Sequence, residues 1–356
     1  MSMARTRPPF RAEHVGSLLR PAKLRAAYRQ FADGGIDADG FRAVQDKCIR
    51  DVVALQQDLG FEAVNDGEFR RISYWAHFVD GTDGLDVTEA RFDFHNERGE
   101  ATHFLAPLVT GPLRRAHAIS GTEFDYLKSV ASAMPKITLP SPPTMHFWTR
   151  KDATANAGYA DDGAFFAELA RIFKEEIADL AGRGARYIQL DEVPLAMLCD
   201  PDLRDRLRSE GEDPDGLIAA YVDLINRSLE GRPADMAVGL HLCRGNFKGK
   251  WLSEGGYGYV AERLFNDIEV DGFFLEYDTP RAGDFAPLAE VPAEKTVVLG
   301  LISSKTPALE DKTALARRID QATEFIPLDQ LALSPQCGFA STVAGNPVTL
   351  DDEITK

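Results

Sequence analysis

AVGLHLC (237–243), GFFLEYD (272–278) and LALSPQC (331–337) are short, nearly continuous apolar runs that carry metal- or proton-binding residues at their C-terminal ends. Runs of this length without polar alternation fit strands buried on both faces, as in a parallel sheet covered by helices. Five more runs share the pattern: EHVGS (13–17), EAVNDGE (62–68), KITLPSP (136–142), YIQLDE (187–192) and TVVLGLIS (296–303). Between them, residues 41–59, 164–182, 215–230 and 308–325 carry apolar side chains at helical spacing, and Gly60, Gly182 and Gly231 stand where helix C-caps are expected. Eight strand-like runs alternating with helices predict an α/β protein built as a (β/α)8 TIM barrel, a single catalytic domain over residues 1–356. A doubly wound open sheet is the competing layout, but no G-x-G-x-x-G follows the first run. Residues 80–125 break the alternation. ARFDFHNERGEATHFLAPLV reads as a β-hairpin inserted after the second strand, a lid or, slightly favoured, an oligomer contact.

The 356 residues are 44% hydrophobic and 27% charged, an ordinary globular composition. A formal net charge of −16 argues against a duplex-binding surface, so no nucleic-acid partner is expected. The N-terminal MSMARTRPPFR is basic but lacks the apolar core of a secretory signal, and no stretch approaches the roughly 20 apolar residues of a membrane span. Four scattered cysteines, Cys48, Cys199, Cys243 and Cys337, do not make a disulfide framework. A cytoplasmic protein is expected.

The chemistry lies at the strand ends, where barrels place their active sites. His241 and Cys243 are two residues apart and so share a face in a strand. With Glu276 and Cys337 they supply an imidazole, two thiolates and a carboxylate, a set suited to tetrahedral zinc. The plain structural alternative is two buried cysteines, a satisfied core histidine and a Glu276 paired with an interior cation. A sulfur-rich zinc site favours activation of a thiol over activation of water. Ser17, Glu68 and Asp191 end three further runs. Facing carboxylates suit the ammonium of an amino acid, and a hydroxyl suits its carboxylate, although Glu68 and Asp191 could also pair with Arg20, Arg70 or Arg71. Trp148 could stack on a planar donor, or simply pack.

HVGSLLRP (14–21), SPPTMHFWT (141–149), YIQLDEVPL (187–195), LHLCRGNF (240–247), FLEYD (274–278) and SPQCGF (334–339) occur in this order. Together they resemble the C-terminal catalytic barrel of the cobalamin-independent methionine synthase family, from about His14 to Phe339. The resemblance implies a zinc-bound (β/α)8 barrel that moves a methyl group from a methylated folate to homocysteine. It implies His241, Cys243, Glu276 and Cys337 as zinc ligands. It also implies Ser17, Glu68 and Asp191 as amino-acid contacts and Trp148 near the pterin. Two departures bear on the donor. The chain has room for one barrel where the long enzyme has two, and Ile302-Ser303-Ser304-Lys305 replaces a stretch that carries a proton-transferring histidine. Lys305 could carry the proton only if its pKa fell far below ~10.4, or it could serve as a point charge. The expected function is zinc-dependent methylation of a small thiol, homocysteine first, with folate, a corrinoid or a sulfonium as donor. The alternatives are an epoxide-to-coenzyme M type of alkyltransferase, a metal-free lyase like uroporphyrinogen decarboxylase, and a zinc-stabilised binding protein or partner of a corrinoid carrier.

Overall fold

The computed structural model describes residues 5–356, so the first four residues of the basic N-terminal run lie outside the described residues. The strands are β1 (Ala63–Val64), β2 (Thr82–Glu89), β3 (Leu105–Arg115), β4 (Met134–Pro135), β5 (Ile137–Pro140), β6 (Tyr187–Glu192), β7 (Ala237–Leu242), β8 (Gly272–Glu276), β9 (Thr296–Ile302) and β10 (Leu331–Pro335). Six of them form one parallel sheet in the order β10-β9-β8-β7-β6-β5, and β4 pairs in parallel with β1. At the other edge Ala12 bridges in parallel to Leu333 of β10, with Glu13 N donating to Leu333 O at 2.9 Å. The EHVGS run thus lies beside the sheet just past the Ala12 bridge without forming a strand of its own, and the EAVNDGE run forms only a two-residue strand. Side chains link the two runs, as where Asn65 Nδ2 meets His14 Nδ1 at 2.9 Å.

β6 and β7 are buried along their whole length, as their apolar sequences require. The alternation along each strand sorts two sets of side chains. One set, including Leu240, Leu242, Phe273, Leu275, Val297 and Leu299, joins the large core under the helices. The other set places Tyr187, Ala237, Phe274, Val298 and Ala332, with Phe10 and Ala63, in a small separate cluster. Gly239 sits against that cluster, where an added Cβ would come within 2.7 Å of the Phe274 ring. Farther along the same faces the residues turn polar. Tyr187 OH donates to Glu13, Lys136 pairs with Glu13 at 3.1 Å, and Gln189 Nε2 donates to Asp191 Oδ1 at 2.7 Å.

Helices Ala38–Asp58, Asp162–Arg183, Pro214–Leu229 and Lys312–Ala322 cover the sheet. Asp37, Asp161, Asp213 and Asp311 accept backbone N–H bonds at their N-termini, so each helix begins where an acceptor satisfies its free donors. That explains why the last starts at Lys312 and not at 308. Gly60 and Gly231 adopt positive φ just past their helices, but Gly182 lies inside Asp162–Arg183 and Gly184, at φ 99°, is the cap. β2 and β3 pair antiparallel, and beyond them Phe94 bridges to Thr102. This excursion packs onto Trp148, whose ring centroid lies 5.2 Å from that of Phe104.

The segment after β1 is held by a buried guanidinium. Arg71 donates to Glu123 Oε2 through Nε (2.9 Å) and Nη2 (2.7 Å), and to Thr138 of β5 through Nη1 (2.9 Å) and Nη2 (3.0 Å). Removing one partner of a buried pair strands the other in low dielectric. Arg71→Met should therefore lose roughly 3–5 kcal/mol in urea denaturation. Adding Glu123→Leu to the same chain should restore part of that loss, because the stranded carboxylate is then gone.

Candidate active site

β7 delivers His241, and two residues on, Cys243 continues the strand direction with its N–H donating to Glu192 O at 2.9 Å. β10 delivers Cys337 just past its end. The ligand atoms of these three buried residues all lie within 4.8 Å of one another, and the two sulfur atoms are 3.3 Å apart. His241 Nδ1 lies 3.4 Å from Phe274 O, while its buried Nε2 has no hydrogen-bond partner. A proton held on Nδ1 by the carbonyl leaves the Nε2 lone pair free for a metal. The sulfur pair titrates asymmetrically. The hydrogen bond from Cys243, with His241 and Lys305 adding to it, holds the Cys337 thiol well below its usual range, and Cys243 is pushed correspondingly up.

Glu276 ends β8 and is not part of that close group. Its Oε2 accepts from Arg244 N at 2.9 Å and its Oε1 from Lys305 Nζ at 2.9 Å. Burial alone would raise this carboxyl, but Lys305 and Arg244 outweigh it and keep its pKa low. Lys305 mirrors it. Burial opposes its charge, yet Glu276 and Asp278 hold the ammonium above its ordinary range, the reverse of the depression that an acid at neutral pH requires.

A cavity of about 480 Å³ opens above the sulfur pair and brings Ser17, Glu68, Trp148 and Asp191 together with His241, Cys243 and Cys337. Lys305 and Glu276 are not among its lining residues. Glu68 reaches it through backbone geometry the sequence did not announce. Gly67 and Glu68 both adopt left-handed φ, 69° and 58°. Asn65 Oδ1 accepts from Gly67 N, Asp66 Oδ1 accepts from Glu68 N, and Arg20 Nη2 donates to Glu68 O, which together hold this turn. A non-glycine residue there costs on the order of 1 kcal/mol or more, tolerated where the surroundings fix it. Glu68 Oε1 accepts from Thr138 Oγ1 at 2.8 Å and lies 3.7 Å from Arg71, while Oε2 is buried without a partner. The ion pair and the open oxygen therefore coexist.

Asp191 stands opposite His241 in the β6–β7 register. Burial, with Glu68 adding to it, pushes its pKa up to about 7. Ser17 O accepts from Phe339 N at 2.8 Å, and a Cβ on Gly338 would collide with Ser17 Oγ, so the SPQCGF glycine is what lets the two loops close. Asn246, in the LHLCRGNF run, was not singled out from sequence. Its Nδ2 donates to Gly338 O at 2.7 Å and to Ser304 Oγ at 3.1 Å, tying the loops after β7, β9 and β10 together. Tyr74, Phe104 and Phe247 also line the cavity unannounced.

A model of the cobalamin-independent synthase catalytic domain matches residues 10–348. The chain belongs to that family. It is 38% identical to the YxjH protein of Bacillus subtilis (strain 168), over 98% of this chain and 92% of that one. It is 26% identical to the methionine synthase of Pyrococcus horikoshii, covering 91% and 84%. Among solved structures, the putative vitamin-B12 independent methionine synthase of Listeria monocytogenes superposes with a TM-score of 0.72 at 31% identity, covering 96% and 95%. The α/β fold with its parallel sheet is therefore that of the family. Among the described residues no helix is long and apolar enough to cross a membrane.

Glu192, next to Asp191, points away from the cavity. Its Oε1 accepts from Leu195 N at 2.7 Å and its Oε2 is buried without a partner, so burial raises its pKa to about 7. A carboxyl raised in the folded state favours folding while protonated, and that contribution is lost as pH climbs from the unfolded value through about 7. Glu192→Gln keeps the acceptor and removes the charge. Its denaturation midpoint should match the wild type near pH ~4–5 and exceed it increasingly toward pH ~8.

Proposed function

We propose that this protein is a zinc-dependent methyltransferase that methylates the thiol of homocysteine to give methionine. The reading takes residues 1–356 as one closed (β/α)8 barrel and residues 80–125 as an insertion walling its mouth. Its support is the order of parallel neighbours from the Ala12 bridge through β10 to β5, with β4, which directly precedes β5 in the chain, paired to β1. The observation that carries the chemistry is the unpartnered His241 Nε2 beside two sulfur atoms on the floor of a cavity walled by carboxylates.

His241, Cys243 and Cys337 would hold the zinc ion, for which an imidazole and two thiolates are a fitting donor set. Bound there, the ion supplies a Lewis acid that lowers the pKa of an incoming thiol, so that a thiolate is present at neutral pH. Glu276 is the fourth donor in this reading, and Lys305 is the charge that holds it when it is not a ligand. Glu68 Oε2 and Asp191 receive the substrate ammonium, and the Ser17 hydroxyl meets its carboxylate. An ammonium between these acids restores the ionised form that burial disfavours in Asp191. The loops fixed by Asn246 and Gly338 bring the two substrates together, an orientation effect that reaches about 7–11 kcal/mol in favourable cases. A metal-free lyase would have no use for a sulfur pair beside an orphaned imidazole.

Metal analysis tests the floor. Cys337→Ser should lose most of its zinc, and a fully loaded variant would refute the site. The wall is tested kinetically. Asp191→Asn should raise the KM for homocysteine about 10–100-fold, the size of one charged hydrogen bond, and change turnover of thiols without an amino group far less.

A further inference from the structure

The mouth of the cavity carries a cation that recognition of an amino thiol leaves unused. Past Cys243 the chain makes a tight turn over residues 247–250. Phe247 N donates to Lys250 O at 3.2 Å and Lys250 N to Phe247 O at 3.0 Å. Lys248 and Gly249 between them both take positive φ, 53° and 76°. Asparagine and glycine are the favoured pair in a two-residue loop of this kind, and a lysine at its first position is strained. Lys248 is exposed, with Nζ 5.1 Å from the centre of the Phe247 ring. Among the described residues its ammonium forms no ion pair and no hydrogen bond. The turn is fixed from two sides. Lys250 Nζ donates to Glu100 O at 3.0 Å and to Thr102 Oγ1 at 2.9 Å, and Gly249 N donates to Asn346 Oδ1 at 2.9 Å. His103 and Leu105, just past the first contact, line the cavity with Phe247, and so does Ala344, just before the second. Other cations here are engaged, His103 with Asp93 at 2.6 Å and Lys305 with Glu276.

Inward from the turn the lining is aromatic. Phe247 meets Phe94 at 5.4 Å, Phe94 meets Phe104 at 4.8 Å, and Phe104 meets Trp148 edge-on at 5.2 Å. These faces suit a planar ring. In the methyltransferase reading the substrate ammonium occupies Glu68 and Asp191, which leaves Asp80 as the unengaged acid of the described lining. A ligand whose ring fills the aromatic part and whose chain passes Phe247 therefore meets a free ammonium at the mouth. We propose that Lys248 receives the carboxylate tail of the methyl donor, a planar heterocycle that carries glutamate carboxylates as a methylated folate does. The proposal rests on the methyltransferase reading above and makes Lys248 a specificity residue away from the reacting atoms. Lysine suits that task. Its charge is a compact point on a flexible stem, which can follow a mobile chain of carboxylates, while the pinned turn fixes where the stem begins.

The test uses the zinc-loaded full chain with deuterated homocysteine, so that labelled methionine reports transfer. The donors are 5-methyltetrahydrofolate triglutamate and 5-methyltetrahydropteroate, which carries no glutamate. Binding of each donor without homocysteine is measured in parallel by calorimetry. The triglutamate should exceed the glutamate-free donor in kcat/KM by about fivefold or more, the upper end for one exposed ion pair, chiefly through KM. Added salt should shrink that ratio. Lys248→Asn should bring it toward one and Lys248→Glu below one. Asparagine is favoured at this position of the turn, so Lys248→Asn should hold or raise the urea midpoint, which separates loss of charge from loss of fold. A ratio near one in the wild type, or one that survives in Lys248→Asn, would overturn the tail contact and leave thiol methylation standing. Tighter binding of the triglutamate that depends on Lys248, with no labelled methionine from either donor, would uphold the contact and overturn methyl transfer. Neither labelled methionine nor binding that depends on Lys248 would overturn both.

Discussion

The parallel register between β6 and β7 is the constraint on which the site depends. It sets Asp191 opposite His241, so a carboxylate and an imidazole face the same interior. A slip of one residue between the two strands would leave only one of them facing inward, setting Leu242 beside Asp191 or Glu192 beside His241 and turning the other into the helix layer. The register is enforced by packing at both ends of the strand. Tyr187 enters the small cluster with Ala237 and Phe274, and Gly239 leaves room for the Phe274 ring. Gln189 then spans the middle, donating to Val15 O at 2.6 Å and to Asp191 Oδ1 at 2.7 Å. One row of side chains thus carries the fold at one end and the chemistry at the other.

The floor and wall differ in how much of their polarity is already satisfied. Glu276 is fully engaged by Arg244 and Lys305, and Arg244 is itself tied to Tyr257 OH at 2.9 Å and to Gly255 O. Glu68 Oε2 and His241 Nε2 are buried and unpartnered. An unsatisfied buried polar atom costs about 1–3 kcal/mol, so a fold keeps few of them, and those facing a cavity are where a ligand gains most. The left-handed turn at Gly67–Glu68 adds backbone strain at the same place. Glu68 Oε2 and His241 Nε2 are thus unpartnered where an ammonium and a metal would satisfy them.

Strand-borne features were legible in the sequence because they depend on local periodicity. The runs at 187–192, 237–243, 272–278, 296–303 and 331–337 became β6 to β10 with ends shifted by two residues or fewer. His241 and Cys243 share a centre for the reason that spacing gives. Features made by distant partners were not legible. Nothing in NDGEFRR says that Glu68 takes a positive φ or that Arg71 will find Glu123, 52 residues on. The AGRGA stretch at 181–185 offers two glycines, and only packing decides that Gly184 ends the helix. The insertion read as alternating from sequence, but that Phe94, Phe104 and Leu105 would wall the cavity depends on how the excursion folds back over Trp148.

Charge is partitioned across the cavity in a way that orients an amino thiol before any metal is considered. The buried cations Lys305 and Arg244 lie behind the floor, bonded to Glu276. The acids Glu68 and Asp191 lie on the wall. A substrate with a developing thiolate at one end and an ammonium at the other aligns with this field in one direction only. Reversing it would set ammonium toward Lys305 and thiolate toward Asp191, with like charges facing in a low-dielectric space at both ends. The Lys305–Glu276 pair therefore contributes even if Lys305 never moves a proton. It holds positive charge near the sulfur floor without placing an ammonium among the cavity's lining residues, and in the proposed reading recognition of the substrate amine falls to the two acids on the wall.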